Sequence, residues 1–155
     1  MLTRVIIFLV LNFAALALGS FLMGGSPADN EWYQALNKAP WTPPGWVFGV
    51  AWTVIMITFS IYMAVLTVLF RGRMQKQLFT LFAIQWVLNV AWNPVFFMAN
   101  AVLPALIILF MLIFVLVIIH LNFGRWRGML NIYIAPYLIW LLIAFSLNFY
   151  VLVVN

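Results

Sequence analysis

The chain has 155 residues, 68% of them hydrophobic and 6% charged, with a mean hydropathy of +1.19; a soluble domain cannot bury that much apolar surface, so the composition indicates an integral membrane protein. With no cysteine there is no disulfide framework, no thiolate nucleophile and no thiolate-ligated metal. A single histidine and two acids, Asp29 and Glu31, leave little for acid–base chemistry, and the net charge of +5 is best judged from where the basic residues fall.

Arg4 precedes an apolar run over residues 5–24, long enough to cross the hydrocarbon. Residues 15–20, ALALGS, have the look of a signal-peptidase site, but the apolar run continues through Phe21, Leu22 and Met23, which favours a retained first helix. A long loop covers residues 26–42. In it Ser26, Pro27 and Asp29 form a helix-start pattern that predicts a short helix over residues 27–36, stopped by Pro40. Thr42 is then expected to cap a second span over residues 43–70, closed by Arg71, Arg73 and Lys76. The third span is expected over residues 78–98, the fourth, after a tight turn at Asn100, over residues 101–121, and the fifth over residues 130–154, after Arg125 and Arg127. The fold expected is an all-α, single-domain integral membrane bundle of five transmembrane helices, with a long first extramembrane loop containing a short helix. No soluble domain, low-complexity tract or internal repeat interrupts it.

Five spans put Arg4, Arg71, Arg73, Lys76, Arg125 and Arg127 on one side, against Lys38, Asp29 and Glu31 on the other. That asymmetry predicts a cytoplasmic amino terminus, an outward-facing first loop and carboxy terminus, and a bacterial inner membrane. The basic excess is then topology, and nucleic-acid binding drops out.

Four of the eight tryptophans fall between Trp32 and Trp52, together with Pro40, Pro43, Pro44 and Lys38. Two readings of this density stand: an aromatic belt at the headgroups, or the stiffened mouth of a binding site, with loop 26–42 as its lid. Inside the spans, Gln85, Asn89 and Asn93 recur every four residues and so share a helix face, with Asn89 near mid-membrane and Asn93 in the outer half. Trp86 and Trp92 flank them and Pro94 perturbs the helix above. Tyr137, Trp140 or Leu141, Ala144 and Asn148 form a stripe on the fifth span, and Trp46, Gly49 and Thr53, with Trp52 beside them, form one on the second. These stripes are expected to meet under the loop as an apolar, aromatic-walled pocket with a few orienting amides; the alternative is that the amides are interhelical glue. His120 lies at the other end of the fourth span without a second ligand and reads as an interfacial polar residue, so no metal site is expected. The lone histidine and lone aspartate fall on opposite sides, which leaves no hydrolytic triad. The spans contain no carboxylate for a proton relay.

Three motifs in order, WYQALNKAPWTPPGW (residues 32–46, with Trp52 after it), QWVLNVAWNPVFF (85–97) and PYLIWLLIAFSLNF (136–149), resemble the TspO/translocator protein family, the tryptophan-rich sensory proteins or peripheral-type benzodiazepine receptors. The resemblance covers nearly the whole chain. It implies a five-helix membrane bundle, commonly a homodimer, that binds protoporphyrin IX, haem and related tetrapyrroles, together with isoquinoline and benzodiazepine ligands, and it implies no required cofactor beyond the porphyrin or haem bound as ligand. The pocket positions it implies are Trp41, Trp46, Phe48, Gly49 and Trp52, then Asn89 and Trp92, then Trp140, Ala144 and Asn148. Trp32, Trp52 and Trp140 correspond to the tryptophans implicated in light-dependent porphyrin breakdown by some bacterial members. No basic residue follows Tyr150, so the family's cholesterol motif is incomplete and high-affinity cholesterol binding is not expected. Ala83, Val87 and Ala91 supply a loose small-residue stripe for dimerisation. The functional expectation is tetrapyrrole binding with a sensory, regulatory or sequestering role. Its alternatives are tryptophan-mediated photo-oxidative degradation, the one enzymatic reading, and facilitated transport of porphyrin, lipid or sterol.

Overall fold

The computed structural model describes residues 1–125 and 128–155; Arg127, one of the basic residues counted above, lies outside them. The helices are α1 (Leu2–Leu22), α2 (Glu31–Ala35), α3 (Gly45–Leu69), α4 (Gly72–Asn93), α5 (Val102–Ile119) and α6 (Asn131–Val154). Wide π turns extend α4 over Pro94–Met98 and α5 over His120–Gly124, and a short 3₁₀ turn, Gly128–Leu130, leads into α6. Five of these segments, of 21, 25, 27, 23 and 27 residues with their extensions, are long and apolar enough to cross a membrane. A helix is what such sequences must adopt in hydrocarbon, because it satisfies every backbone polar group within the segment.

The five long helices close into a ring: α1 packs on α3 and α4, α6 on α3 and α5, and α4 on α5. The ring is filled by Phe59, Tyr62, Leu66, Leu116, Tyr137 and Leu141, all fully buried. A buried polar clasp joins α1 to α3, where Asn12 Nδ2 donates to Ser60 Oγ at 2.8 Å. The α1–α4 crossing is close because Gly19 has no side chain; a Cβ there would lie 2.6 Å from Asn93 Nδ2.

Several expected boundaries are corrected. The short helix begins at Glu31 rather than Pro27, because Asn30 caps it, its Oδ1 accepting from the Tyr33 amide at 2.8 Å. Ser26 only closes a turn with Ala28. Thr42 is likewise no cap: α3 starts at Gly45 after Pro44, with no side chain on its first amides. Helix α4 begins six residues earlier than expected, so Arg73 and Lys76 ride on its first turns rather than in the preceding loop.

Helices α1 and α3 are neighbours in the ring, yet the segment between them takes the long way round. Asn30 Nδ2 donates to the Phe97 carbonyl at the end of α4. Trp32, Tyr33 and Leu36 pack on Phe96, Phe97 and Ala105. Asn37 then meets Asn155 after α6, its amide N–H donating to Asn155 Oδ1 at 2.8 Å and its carbonyl accepting from Asn155 Nδ2 at 3.3 Å. The loop therefore crosses the mouth of the bundle. Arg4, Arg71, Arg73, Lys76 and Arg125 lie at the opposite end.

Candidate functional site

The interior of the bundle is organised by the Tyr137 hydroxyl. Gln85 and Asn89, one turn apart on α4, face across the ring to α6 and both donate to it, at 2.8 and 2.9 Å. Having accepted twice, the hydroxyl keeps its own proton uncommitted among the described residues. Gln85 Oε1 is buried and unpartnered. Rotating that amide end for end would let Oε1 accept from the hydroxyl but would strand the NH₂ group instead, so one amide atom of Gln85 is left over either way.

Aromatic rings surround this hub. Trp52 of α3 meets Tyr137 edge-on at 6.0 Å, and Phe59 does so at 5.3 Å. Phe48, one turn before Trp52, meets Trp140 edge-on at 5.2 Å, and half-buried Ala144 packs against the same cluster. Toward the loop end Trp92 stacks on Phe96 at 5.3 Å and 10°, yet its indole Nε1 is buried without an acceptor. Asn148 is 2% exposed. Its Nδ2 donates to the Val102 carbonyl at the start of α5, while its Oδ1 has no partner. Between mid-depth and the loop end the bundle thus holds spare donors, Trp92 Nε1–H and the Tyr137 hydroxyl, and spare acceptors, Gln85 Oε1 and Asn148 Oδ1, among apolar walls. Each unpaired group costs about 1–3 kcal/mol in such surroundings.

The sequence-derived residues divide accordingly. Phe48, Trp52, Asn89, Trp92, Trp140 and Ala144 come together in the main core or on its edge, with Asn148 buried at the junction of α5 and α6. The expected stripe of Trp46, Gly49 and Thr53 does not join them. Trp46 is 71% exposed, and a Cβ on Gly49 would have no neighbour within 4 Å. Helix α3 turns its bulkier stripe inward instead, Phe48, Trp52, Ile55 and Phe59, because those side chains fill the ring. Asn93 also leaves its stripe and faces Gly19 of α1. Over eight residues an α-helix drifts by about 80° relative to a four-residue repeat, so the third amide no longer follows the first two.

Trp41 belongs to the rim. Its Nε1 donates to Ser146 Oγ at 3.2 Å and its ring meets Tyr150 edge-on at 5.4 Å. Trp32 is also separate from Trp52 and Trp140; it packs on Phe96 at 5.4 Å, with Tyr33 beside it. Burial raises the Tyr33 phenol above its ordinary value, and the Lys38 ammonium lies 4.5 Å over its ring while donating to Gln34. Lys38 is thereby engaged in holding the loop together. A recess of about 350 Å³ opens under the loop's first half, lined by Trp32, Asp29, Glu31, Gly24 and Asn100 among others. Tyr137 falls in the predicted stripe on the fifth span, but its hydroxyl has no role there; the signal for it is the amide pair at 85 and 89, since two buried donors need an acceptor on the facing helix.

Residues 7–154 match the model of the TspO/MBR family. The chain is 35% identical over 144 residues to the tryptophan-rich sensory protein of Cereibacter sphaeroides, covering 91% of this chain and 87% of that protein. It is 33% identical over 134 residues to the tryptophan-rich protein TspO of Chlorobaculum tepidum, covering 84% of each. It is 32% identical over 130 residues to protein CrtK of Rhodobacter capsulatus, covering 79% of this chain and 77% of that one. With its five apolar helices and a family match over almost its whole length, the chain belongs to the TspO/MBR family.

Proposed function

We propose that the protein binds a hydrophobic tetrapyrrole, such as protoporphyrin IX or haem, among the aromatic walls below the loop, and that binding serves a sensory, regulatory or sequestering role. The observation that carries this reading is the set of buried, unpartnered polar atoms on Gln85, at the Tyr137 hydroxyl, and on Trp92 and Asn148 nearer the loop end. Such atoms suit a ligand that is largely apolar yet carries both donors and acceptors. The sensory part rests on the likeness to the tryptophan-rich sensory protein of Cereibacter sphaeroides. Isoquinoline and benzodiazepine ligands fit the same chemistry. No further cofactor is required.

In the described conformation Trp52 and Phe48 of α3 touch Tyr137 and Trp140 of α6, so admitting a macrocycle requires these rings to part, and the loop that crosses the mouth above them to lift. Loop 26–42 then acts as a lid, released where Asn37 meets Asn155 and Trp41 meets Ser146. The excess of basic residues at the end away from the loop supports a cytoplasmic amino terminus and an inner-membrane location. The exposed α4 stripe of Ala83 and Val87, with Ala91 half-buried beside it, supports a homodimer. The experiment is quenching of tryptophan fluorescence by protoporphyrin IX in the dark. Saturable quenching that weakens in Trp52→Phe/Trp140→Phe supports the pocket; quenching that never saturates, or ignores those substitutions, means partitioning into detergent and ends the reading.

Light-dependent porphyrin degradation is the second reading, favoured by the edge contact of Trp52 with Tyr137. An indole that gives an electron to an excited porphyrin has a phenol beside it. Under illumination the bound porphyrin's absorbance should fall with wild-type protein and persist in Trp52→Phe; equal decay in both removes this reading.

A further inference from the structure

At the basic end of the bundle a groove of about 210 Å³ runs between α1 and α4, along Ile7, Leu11 and Phe79, with Arg4, Thr67 and Gln75 at its lip. Its floor is closed by the buried rings of Phe8 and Phe82, which meet edge-on at 5.0 Å. Its inner end is closed where the Trp86 indole donates to the Leu11 carbonyl at 2.8 Å. From Arg4 to Leu11 the groove extends ~10 Å along the helix axis, at ~1.5 Å per residue. Ile7, Leu11 and Phe79 are exposed on the outer surface of the ring, so the groove opens toward lipid.

The charge at its lip is uncompensated. Both acids of the chain, Asp29 and Glu31, are at the loop end, about a full span of ~30 Å away. The Arg4 guanidinium donates to the Thr67 carbonyl, and Gln75 Nε2 donates to the same oxygen at 3.0 Å. That oxygen belongs to the last turn of α3, so the two side chains cap the helix end. Capping uses one of five guanidinium N–H donors, and a helix terminus offers only about half an elementary charge in return. Exposed Arg71 and Lys76, on the same end of α4, add to the positive field. A cation at the hydrocarbon edge above an apolar channel matches an anion that carries a fatty chain.

We infer that this groove is a binding site for an anionic phospholipid, with its phosphate on Arg4 and Gln75 and the upper part of one acyl chain along Ile7, Leu11 and Phe79. The inference is independent of the loop-end site. A free anion would use only the lip and a zwitterionic lipid would gain little from Arg4, so the occupant that uses both charge and channel is the anionic lipid.

The test is native mass spectrometry of the full-length, delipidated protein titrated with dioleoyl phosphatidylglycerol or dioleoyl phosphatidylcholine, which differ in headgroup charge but not in chains. One phosphatidylglycerol should be retained in preference to phosphatidylcholine by about five-fold, the worth of one basic contact. Arg4→Gln, which keeps an N–H donor but removes the charge, should abolish the preference. Arg73→Gln, exposed on α4 and outside the groove, should keep it. Leu11→Trp, which fills the channel and leaves the charge, should lower retention of both lipids, and it carries the test alone if Arg4→Gln does not fold. Unchanged preference in Arg4→Gln or unchanged retention in Leu11→Trp would overturn the site. Equal losses in Arg4→Gln and Arg73→Gln would reduce it to diffuse surface charge, and competition by equimolar inorganic phosphate would reduce it to an anion contact without a lipid; either result also overturns it.

Discussion

Tyr137 and Tyr62 are both fully buried, and Phe59 lies between them, edge-on to the first at 5.3 Å and stacked on the second at 6.2 Å. Their hydroxyls fare differently. At mid-depth Tyr137 receives two amide donors; toward the basic end Tyr62 receives none and presses against Gly124, in the π turn of α5. Burial of a tyrosine is therefore no mark of a site. What distinguishes the two regions is whether facing helices bring polar groups to the ring or only remove atoms to make room for it. Both regions hold spare buried polar atoms, the basic end on the Tyr62 hydroxyl and His120 Nδ1, but only at mid-depth do amides of a facing helix converge on the hydroxyl; at the basic end a glycine makes room for the phenol.

Filling the space at Gly124 tests the packing region most severely. A Cβ there would fall on the Tyr62 hydroxyl, with Tyr62 Cζ at 3.0 Å and His120 Nδ1 at 3.3 Å. Gly124→Ala should cost up to about 3 kcal/mol, read as a fall in the thermal unfolding midpoint in detergent. Adding Tyr62→Phe should recover part of the loss. No recovery would mean that the crowding comes from His120 or from the turn itself.

The hydroxyls can then be removed singly. Tyr137→Phe strands two amide donors and should destabilise by about 2 kcal/mol, while Tyr62→Phe removes a buried group that has no partner and should be neutral or stabilising by up to about 1 kcal/mol. The same pair separates function from packing: porphyrin quenching should weaken in Tyr137→Phe and stay as in wild type in Tyr62→Phe. Equal effects on quenching would erase the distinction between the regions. A smaller effect is expected at the α1–α4 crossing, where a Cβ on Gly19 would meet the end of the Asn93 side chain. Since that side chain can rotate away, Gly19→Ala should cost about 1 kcal/mol, the low end for overpacking, and Asn93→Ala should restore it.

How far the sequence discloses this arrangement follows from the contrast each element carries. The five spans are written in uninterrupted apolar runs, and the amide stripe at Gln85 and Asn89 is visible because polar residues are rare in such runs. The orientation of α3 is not visible. Trp46–Gly49–Thr53 and Phe48–Trp52–Ile55 both have helical spacing, and on a helix apolar all round there is no polar face to choose between them. Asn30 and Ser26 are both competent caps, and only the docking of Asn30 Nδ2 on the Phe97 carbonyl decides for the former. The Asn12–Ser60 clasp and the Tyr137 hub each join residues 48 or more apart. They become readable only once the order of helices around the ring is known, and a helix sequence does not encode its neighbours.

The smallest effect on stability should come from the loop, and it sharpens the comparison from the other side. The hub is held by rings packed inside the bundle, whereas the second half of the loop is held to α6 by a few exposed hydrogen bonds, Asn37 with Asn155 and Trp41 with Ser146. Exposed bonds of this kind contribute about 0.5 kcal/mol each, because water replaces them readily. Asn155→Ala/Trp41→Phe should therefore leave the unfolding midpoint of the bundle nearly unchanged. It should raise the rate of protease cutting between residues 37 and 42 by about five-fold, since cutting follows the population of the open segment when opening is fast. If the loop is a lid, protoporphyrin IX should slow cutting of the wild-type protein, and the double variant should need more ligand for the same protection. Cutting rates that ignore the ligand in both proteins would leave the loop as a fixed cover, and a porphyrin would then have to enter between the helices.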